Sequence, residues 1–255
     1  MQFSRTSHDQ HLNPLSAPTY AVIDQGNTML KLGLFRDGVL IRTEIFSDPL
    51  NVQIAELIQE NKVKALMYSS VADTLIKTHD IPDECQLIKF HSALKLPLEI
   101  GYQKDEVMGS DRIAAAAGLS TYNGPLCVAI DFGTCTTITV VNQNVIVNGS
   151  ISPGRWMRYR ALHEFTGRLP LLIPPAEVSK KSAQTTVETI HQGVSVASAL
   201  EIEHLLHYLL DGKLPDSLVI TGGDHPFFER HLKTPNFADP HLVLKGLHAI
   251  LLENI

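Results

Sequence analysis

The 255-residue chain has only three cysteines, Cys85, Cys127 and Cys135, and no two share C-x-x-C spacing. An odd, scattered set does not make a disulfide framework, so reduced thiols are expected. Charge runs are missing as well. The 21 Lys and Arg against 27 Asp and Glu leave a net charge of −6, and no run of five like charges occurs. That removes the clustered basic footprint of a nucleic-acid binder. Nothing approaches the apolar length of a membrane span, and residues 1–18 are polar, with Pro14 and Pro18, lacking the apolar stretch of a signal peptide. Those residues read as a mobile tail. The expectation is a cytoplasmic protein with neither nucleic acid nor membrane as a partner.

The commoner phosphate-binding signatures are also absent. There is no G-x-x-x-x-G-K-[ST] and no G-x-G-x-x-G. Asp131-Phe132-Gly133 spells the D-F-G of protein kinases, but no H-R-D or V-A-I-K accompanies it, so the match is accidental. Among twelve histidines there is no H-E-x-x-H, and His204 and His207 lack a third ligand nearby in sequence. They read as solvated or helix-packed.

What is present is an ordinary globular composition, 44% hydrophobic and 19% charged, and an internal repeat. Residues 20–28 end in Asp24-Gln25-Gly26-Asn27-Thr28, and residues 127–135 end in Asp131-Phe132-Gly133-Thr134-Cys135. Both are apolar runs closing on Asp-x-Gly and small polar residues, and the two Asp lie 131 − 24 = 107 positions apart. Each is followed by two more apolar runs around a tight turn, Arg36-Asp37-Gly38 in one copy and Asn142-Gln143-Asn144 in the other. Helices are expected over 51–61, 110–121, 155–166, 186–210 and 241–252, with strands over 63–68 and 218–221. The pattern βββ-αβ-αβ-α, written twice, predicts two α/β domains, 19–124 and 125–255, after the tail.

In each Asp-x-Gly turn the glycine lets a backbone approach an anion closely, and Asn27, Thr28 or Thr134 offers donors to phosphate oxygens. Two such turns facing each other would cradle a triphosphate. Their carboxylates would hold a cation, since bare carboxylates repel phosphate. Gly109-Ser110-Asp111-Arg112 places an acceptor and a cationic fork at a helix start, with Ser110 as the expected N-cap. Asp111 there could accept a hydroxyl proton, or the tetrapeptide could be a capped helix with a surface ion pair. Cys135 fits as a small residue, and Trp156 could line a pocket or pack on the following helix.

Taken in order, these motifs resemble the type III pantothenate kinases. Asp24-x-Gly26-Asn27-Thr28-x-x-Lys31 is similar to that family's first phosphate motif, Gly109 to Arg112 to its G-x-D-R, and Asp131-x-Gly133-Thr134-x-Thr136-Thr137 to its second phosphate motif. Gly149 to Gly154, Thr221-Gly222-Gly223 and residues 242–247 resemble three further segments, so the likeness covers residues 20–252. It implies two tandem ribonuclease H-like (actin-like ATPase) domains with a nucleotide cleft between them. It also implies ATP-dependent phosphorylation of pantothenate to 4′-phosphopantothenate, the first step of coenzyme A synthesis. Asp111 would then be the catalytic base. Asp24, Gln25, Gly26, Asn27, Thr28, Met29, Leu30, Lys31 and Thr134 would bind ATP. Tyr102, Gly109, Ser110, Asp111, Arg112 and Thr186 would contact pantothenate. Asp131 would help hold a monovalent cation, K⁺ or NH₄⁺, with Mg²⁺ accompanying the nucleotide. A homodimer is implied, with Tyr102 serving the neighbouring chain's pocket.

This chain departs from the family pattern in Ser150 for a usual glycine, Asp105 for a usual proline, Thr185-Thr186 for Asn-Thr, and the bulky Arg155-Trp156 pair. Two rival readings keep the fold: a catalytically idle nucleotide-binding regulator, and another small-molecule kinase of the superfamily. Both phosphate motifs and Asp111-Arg112 argue against the first, since an idle copy needs none of them.

Overall fold

The protein is described by a computed structural model covering residues 17–26, 29–46, 51–70, 81–101, 108–179 and 181–255. Asn27, Thr28 and Tyr102 lie outside the described residues.

The chain opens with an antiparallel meander of β1 (Thr19–Gln25), β2 (Leu30–Arg36) and β3 (Val39–Phe46). Asp37 and Gly38 turn it with φ of 50° and 75°, the positive values that a type I′ turn demands. Helix α1 (Asn51–Glu60) leads to β4 (Val63–Ser70), which returns parallel to β1, and β5 (Gln86–Lys89) extends the sheet. A two-residue strand, β6 (Glu99–Ile100), and helix α2 (Ser110–Gly118) lead into the second half.

There the same topology recurs. β7 (Leu126–Phe132), β8 (Cys135–Asn142) and β9 (Val145–Pro153) form a meander turned at Gln143 and Asn144, with φ of 51° and 61°. After α3 (Arg155–Glu164), α4 (Thr186–His191) and α5 (Ala197–Leu209), β10 (Ser217–Thr221) lies parallel to β7. Helix α6 (His225–His231), β11 (Phe237–Ala238) and α7 (Leu242–Leu252) complete the chain. The sheet orders are β3-β2-β1-β4-β5 and β9-β8-β7-β10-β11, and β6 joins the free edge of β9. The repeat read in the sequence is thus a repeat of topology.

Strand alternation explains the layering. Ala21, Ile23, Leu66 and Tyr68 face α1, while Val22, Ala65 and Met67 face α2 and α7. In the second sheet Val128 and Ile130 face α5 and α6, while Cys127 and Ala129 face the same α2–α7 pair. One core between the sheets therefore serves both. His248 belongs to it, stacked on Phe35 with ring centroids 4.1 Å apart, and burial holds its pKa down at about 4.

The helix expected over 186–210 runs as α4 and α5 joined by a π-helical turn, Gln192–Val196. The extra residue in such a turn leaves no trace in a 3.6-residue pattern. The two-residue strands β6 and β11 are likewise too short to show a period.

α2 and α7 cross almost backbone to backbone. A Cβ on Gly246 would lie 1.7 Å from the Ala114 carbonyl oxygen, and one on Gly118 would lie 2.4 Å from that of Leu242. Gly246→Ala should gain about 1 kcal/mol of helix propensity but force these helices apart, at about 1–3 kcal/mol or more. A melting temperature lower by roughly 3–6 °C is expected, measurable by calorimetry. An unchanged or higher value would show that the crossing tolerates a methyl group.

Candidate active site

Ligands of open α/β sheets gather at the carboxyl ends of parallel strands. Four such ends meet here. β1 ends at Asp24-Gln25 beside Ser69-Ser70 of β4, and β7 ends at Asp131-Phe132 with Asp131 beside Thr221 of β10. On the antiparallel side Lys31 pairs with Asp24, and Thr137 with Asp131.

Electrostatics ties the two ends together. Burial, then the charge of Asp131, pushes the Asp24 carboxyl up to about 7, with Asp111 adding to the rise and Lys31 opposing it. Burial likewise raises Asp131 to about 6, with Lys31 opposing and Asp111 adding. Three carboxylates from β1, β7 and α2 thus share one site with Lys31. No three-residue spacing in the sequence announces this group.

Each turn is closed by its glycine N–H, the first turn being one residue longer than the second. The Gly26 N–H donates to the Met29 carbonyl and the Gly133 N–H to that of Cys135, both at 3.0 Å. Thr134 is exposed at the second turn. Gly222, with φ of 89°, packs against that strand end so closely that a Cβ would sit 2.3 Å from Asp131 Oδ1. No other residue fits there.

The expected ligand residues divide. Gln25 is buried, its amide oxygen accepting from the Tyr68 hydroxyl at 2.7 Å and from Ser70 at 3.2 Å. Leu30 points into the core, whereas Met29 is exposed. Ser110 is the first residue of α2 and not its cap; Gly109 holds the N-cap position. The Ser110 hydroxyl is engaged instead by the Ser69 hydroxyl, which donates to it at 2.8 Å. Asp111 Oδ1 accepts from the Arg112 N–H at 2.8 Å. A Cβ at Gly109 would lie 2.6 Å from that oxygen, so glycine makes room for the carboxylate. Arg112 is buried. Thr186 lies on the exposed first turn of α4, which is capped reciprocally by Thr185 and Glu188.

Sequence reasoning missed Ser69 and Asp224. The first lies near the end of β4, and the second follows Thr221-Gly222-Gly223, a position that could have marked it. Among the described residues no three His, Cys, Asp or Glu side chains gather as a metal site, and no helix is long and apolar enough to cross a membrane.

Two mixed sheets of identical order, with acidic strand ends meeting between them, define an α/β protein of the actin-like ATPase class. Solved structures agree on the fold. A protein assigned to the Baf family of transcriptional activators, from Campylobacter jejuni, superposes with a TM-score of 0.60 at 22% identity, covering 92% of this chain and 98% of the other. The ethanolamine utilization protein EutJ from Carboxydothermus hydrogenoformans gives 0.52 at 13% identity, covering 95% and 92%.

Within that class, residues 21–208 match the family model of type III pantothenate kinases. A type III pantothenate kinase of Azobacteroides pseudotrichonymphae is 36% identical over 248 residues, covering 91% of this chain and 96% of the relative. One from Cytophaga hutchinsonii is 34% identical over 237 residues, covering 92% and 99%. The chain belongs to the type III pantothenate kinase family, and it is an ATP-dependent phosphotransferase of coenzyme A biosynthesis.

Proposed function

We propose that the Asp24–Asp131–Asp111–Lys31 group is where this kinase moves the γ-phosphoryl group of ATP to the primary hydroxyl of pantothenate. The observation that carries this reading is the mutual charge interaction of three carboxylates brought from separate elements to the ends of two duplicated strands.

The two turns, Gly26 with Asn27 and Thr28, and Gly133 with Thr134, hold the phosphates through backbone N–H and hydroxyl donors. Lys31 supplies positive charge at the first turn, and Met29 lines it. Gln25 and Leu30 serve through main-chain atoms, their side chains being turned to Tyr68 and Ser70 or into the core. Gly109, Ser110, Arg112, Thr186 and Tyr102 contact pantothenate. Asp111 orients the attacking hydroxyl. As the oxygen–phosphorus bond forms and the bond to ADP breaks, Asp111 accepts the hydroxyl proton late, since phosphoryl transfer asks mainly for positioning and charge stabilisation.

Asp131 and Asp24 are suited to a cation: both are half-buried, Asp24 feels the charges of Asp131 and Asp111, Asp131 feels that of Asp111, and Lys31 opposes both. K⁺ or NH₄⁺ would rest against Asp131, and Mg²⁺ would accompany ATP. Phosphate, water or main-chain oxygens would complete either shell, because among the described residues no three acidic side chains gather as a metal site. A bound cation would offset phosphate charge. A cytoplasmic homodimer completes the reading, supported by large exposed apolar side chains on α3, the loop after it and α5: Trp156, Phe165, Ile173, Leu200 and Tyr208.

One preparation tests this. ADP release should depend on pantothenate, rise when K⁺ replaces Na⁺, and come from a species sedimenting as a dimer. ADP release indifferent to pantothenate would sink the assignment. Indifference to K⁺ or a monomeric mass would remove the cation or the dimer alone.

A further inference from the structure

Arg155, in the bulky pair that departs from the family pattern, is the first residue of α3 and is only 3% exposed. Its Nη2 donates to the Pro175 carbonyl at 3.1 Å, and its guanidinium lies 3.8 Å above the centre of the Phe227 ring. Its Nε is 3.6 Å from Asp224 Oδ2. Nε and Nη1 are buried without a hydrogen-bond partner. Burying a guanidinium so incompletely satisfied is costly, and as a simple anchor an apolar side chain of the same volume would serve as well or better.

It lies beside the second of the two turns that hold the nucleotide in the reading above, and beside the Gly222–Asp224 loop. Gly154, immediately before Arg155, donates its N–H to the Thr134 carbonyl at 3.0 Å. A Cβ there would lie 2.3 Å from the Gly133 carbonyl oxygen, so the start of α3 is pressed onto the second phosphate turn. Asp224 follows Gly222-Gly223 and donates its N–H to the Phe132 carbonyl at 3.0 Å. One planar cation therefore joins the β9–α3 junction, the β10–α6 loop and the segment containing Pro175. The same helix continues inward to Tyr159, whose hydroxyl meets His191 Nδ1 at 2.8 Å and Ser195 Oγ at 2.9 Å beside the π-helical turn.

We propose that Arg155 is a positioning residue for ATP, fixing the distance between the Gly133–Thr134 turn and the Gly222–Asp224 loop through its contacts with Asp224 and Phe227. The inference rests on the reading that the Gly133–Thr134 turn binds the nucleotide. Arg155 itself touches no substrate, since its guanidinium is closed off from solvent.

The test is steady-state kinetics of Arg155→Met and Arg155→Lys, with Thr134→Ala as a probe of the underlying reading. Arg155→Met keeps the apolar stem and removes the fork. It should raise the KM for ATP by about tenfold, the effect of roughly one decade of lost binding, and shift the KM for pantothenate by less than about twofold. Arg155→Lys keeps a charge near Phe227 without the planar fork and should fall between. A merely structural anchor would lower the melting temperature and leave both KM values of the folded enzyme at wild type. That result, or an equal rise in both KM values, overturns the proposal. If Arg155→Met does not fold, Asp224→Asn replaces it, with the same expected rise in KM for ATP and the same contrary result. Should Thr134→Ala leave the KM for ATP unchanged, the reading of the turn fails and the proposal with it. If Thr134→Ala raises it and the Arg155 variants do not, only the role of Arg155 is lost.

Discussion

Asp111→Asn is expected to fold, bind both substrates and turn over about 10²–10⁴-fold more slowly than the wild-type enzyme, the range for a lost general base. Asparagine matches aspartate in volume and keeps an oxygen for the Arg112 N–H that Asp111 Oδ1 accepts at 2.8 Å. The space left by Gly109 is occupied as before. What disappears is the capacity to take a proton. An effect confined to kcat, with both KM values within about twofold, is the signature of an interaction made only in the transition state. Rapid-quench measurement of the phosphoryl-transfer step separates this from slow product release. Near-wild-type turnover in the variant would remove Asp111 as the base. The same assay addresses the idle-regulator reading, since a regulator would show no turnover to lose.

Asp24→Asn should lose most activity and yet gain stability. The folded state raises the Asp24 carboxyl from 3.8 to about 7, so the native protein binds a proton more tightly than the unfolded chain. Stability therefore falls as pH rises from near 4 to near 7, and the full penalty is present above about 7. Removing this charge relieves Asp131 as well. In a buffer without K⁺ or Mg²⁺, the variant should melt roughly 3–6 °C higher than wild type at pH 8, corresponding to about 1–2 kcal/mol after allowance for partial solvent screening. Below about pH 4 the two should coincide. Adding K⁺ and Mg²⁺ should stabilise the wild type more than the variant. A variant less stable at pH 8 would mean that Asp24 contributes attraction to Lys31 in excess of its repulsion by Asp131 and Asp111.

Much of the architecture is legible in the chain because it is encoded locally. The period-2 runs around Asp37-Gly38 and Gln143-Asn144 produce the two meanders, and the positive φ at each turn is a property of those few residues. Positions 54, 57 and 58 share one helical face, and Ile54, Leu57 and Ile58 are buried accordingly. The repeated Asp-x-Gly turn, 107 residues apart, shows the duplication and, with its companion motifs, the family. Ser110 shows where local logic stops. A serine before an apolar helix reads as a cap, but Ser69, 41 positions away, claims its hydroxyl, and Gly109 takes the cap position.

By itself, then, the sequence determined the paired meanders, the positions of α1, α2, α3 and α7, the duplicated turns and the kinase family, all carried by short-range spacing or by motifs in order. Only the tertiary structure decided that burial and neighbouring carboxylates raise the proton affinity of Asp24 and Asp131, that α2 and α7 form a core common to both sheets, and that Arg155 is buried between Asp224, Phe227 and Pro175. Charge coupling and desolvation depend on distance through space and on what excludes water. Neither quantity is a function of separation along the chain.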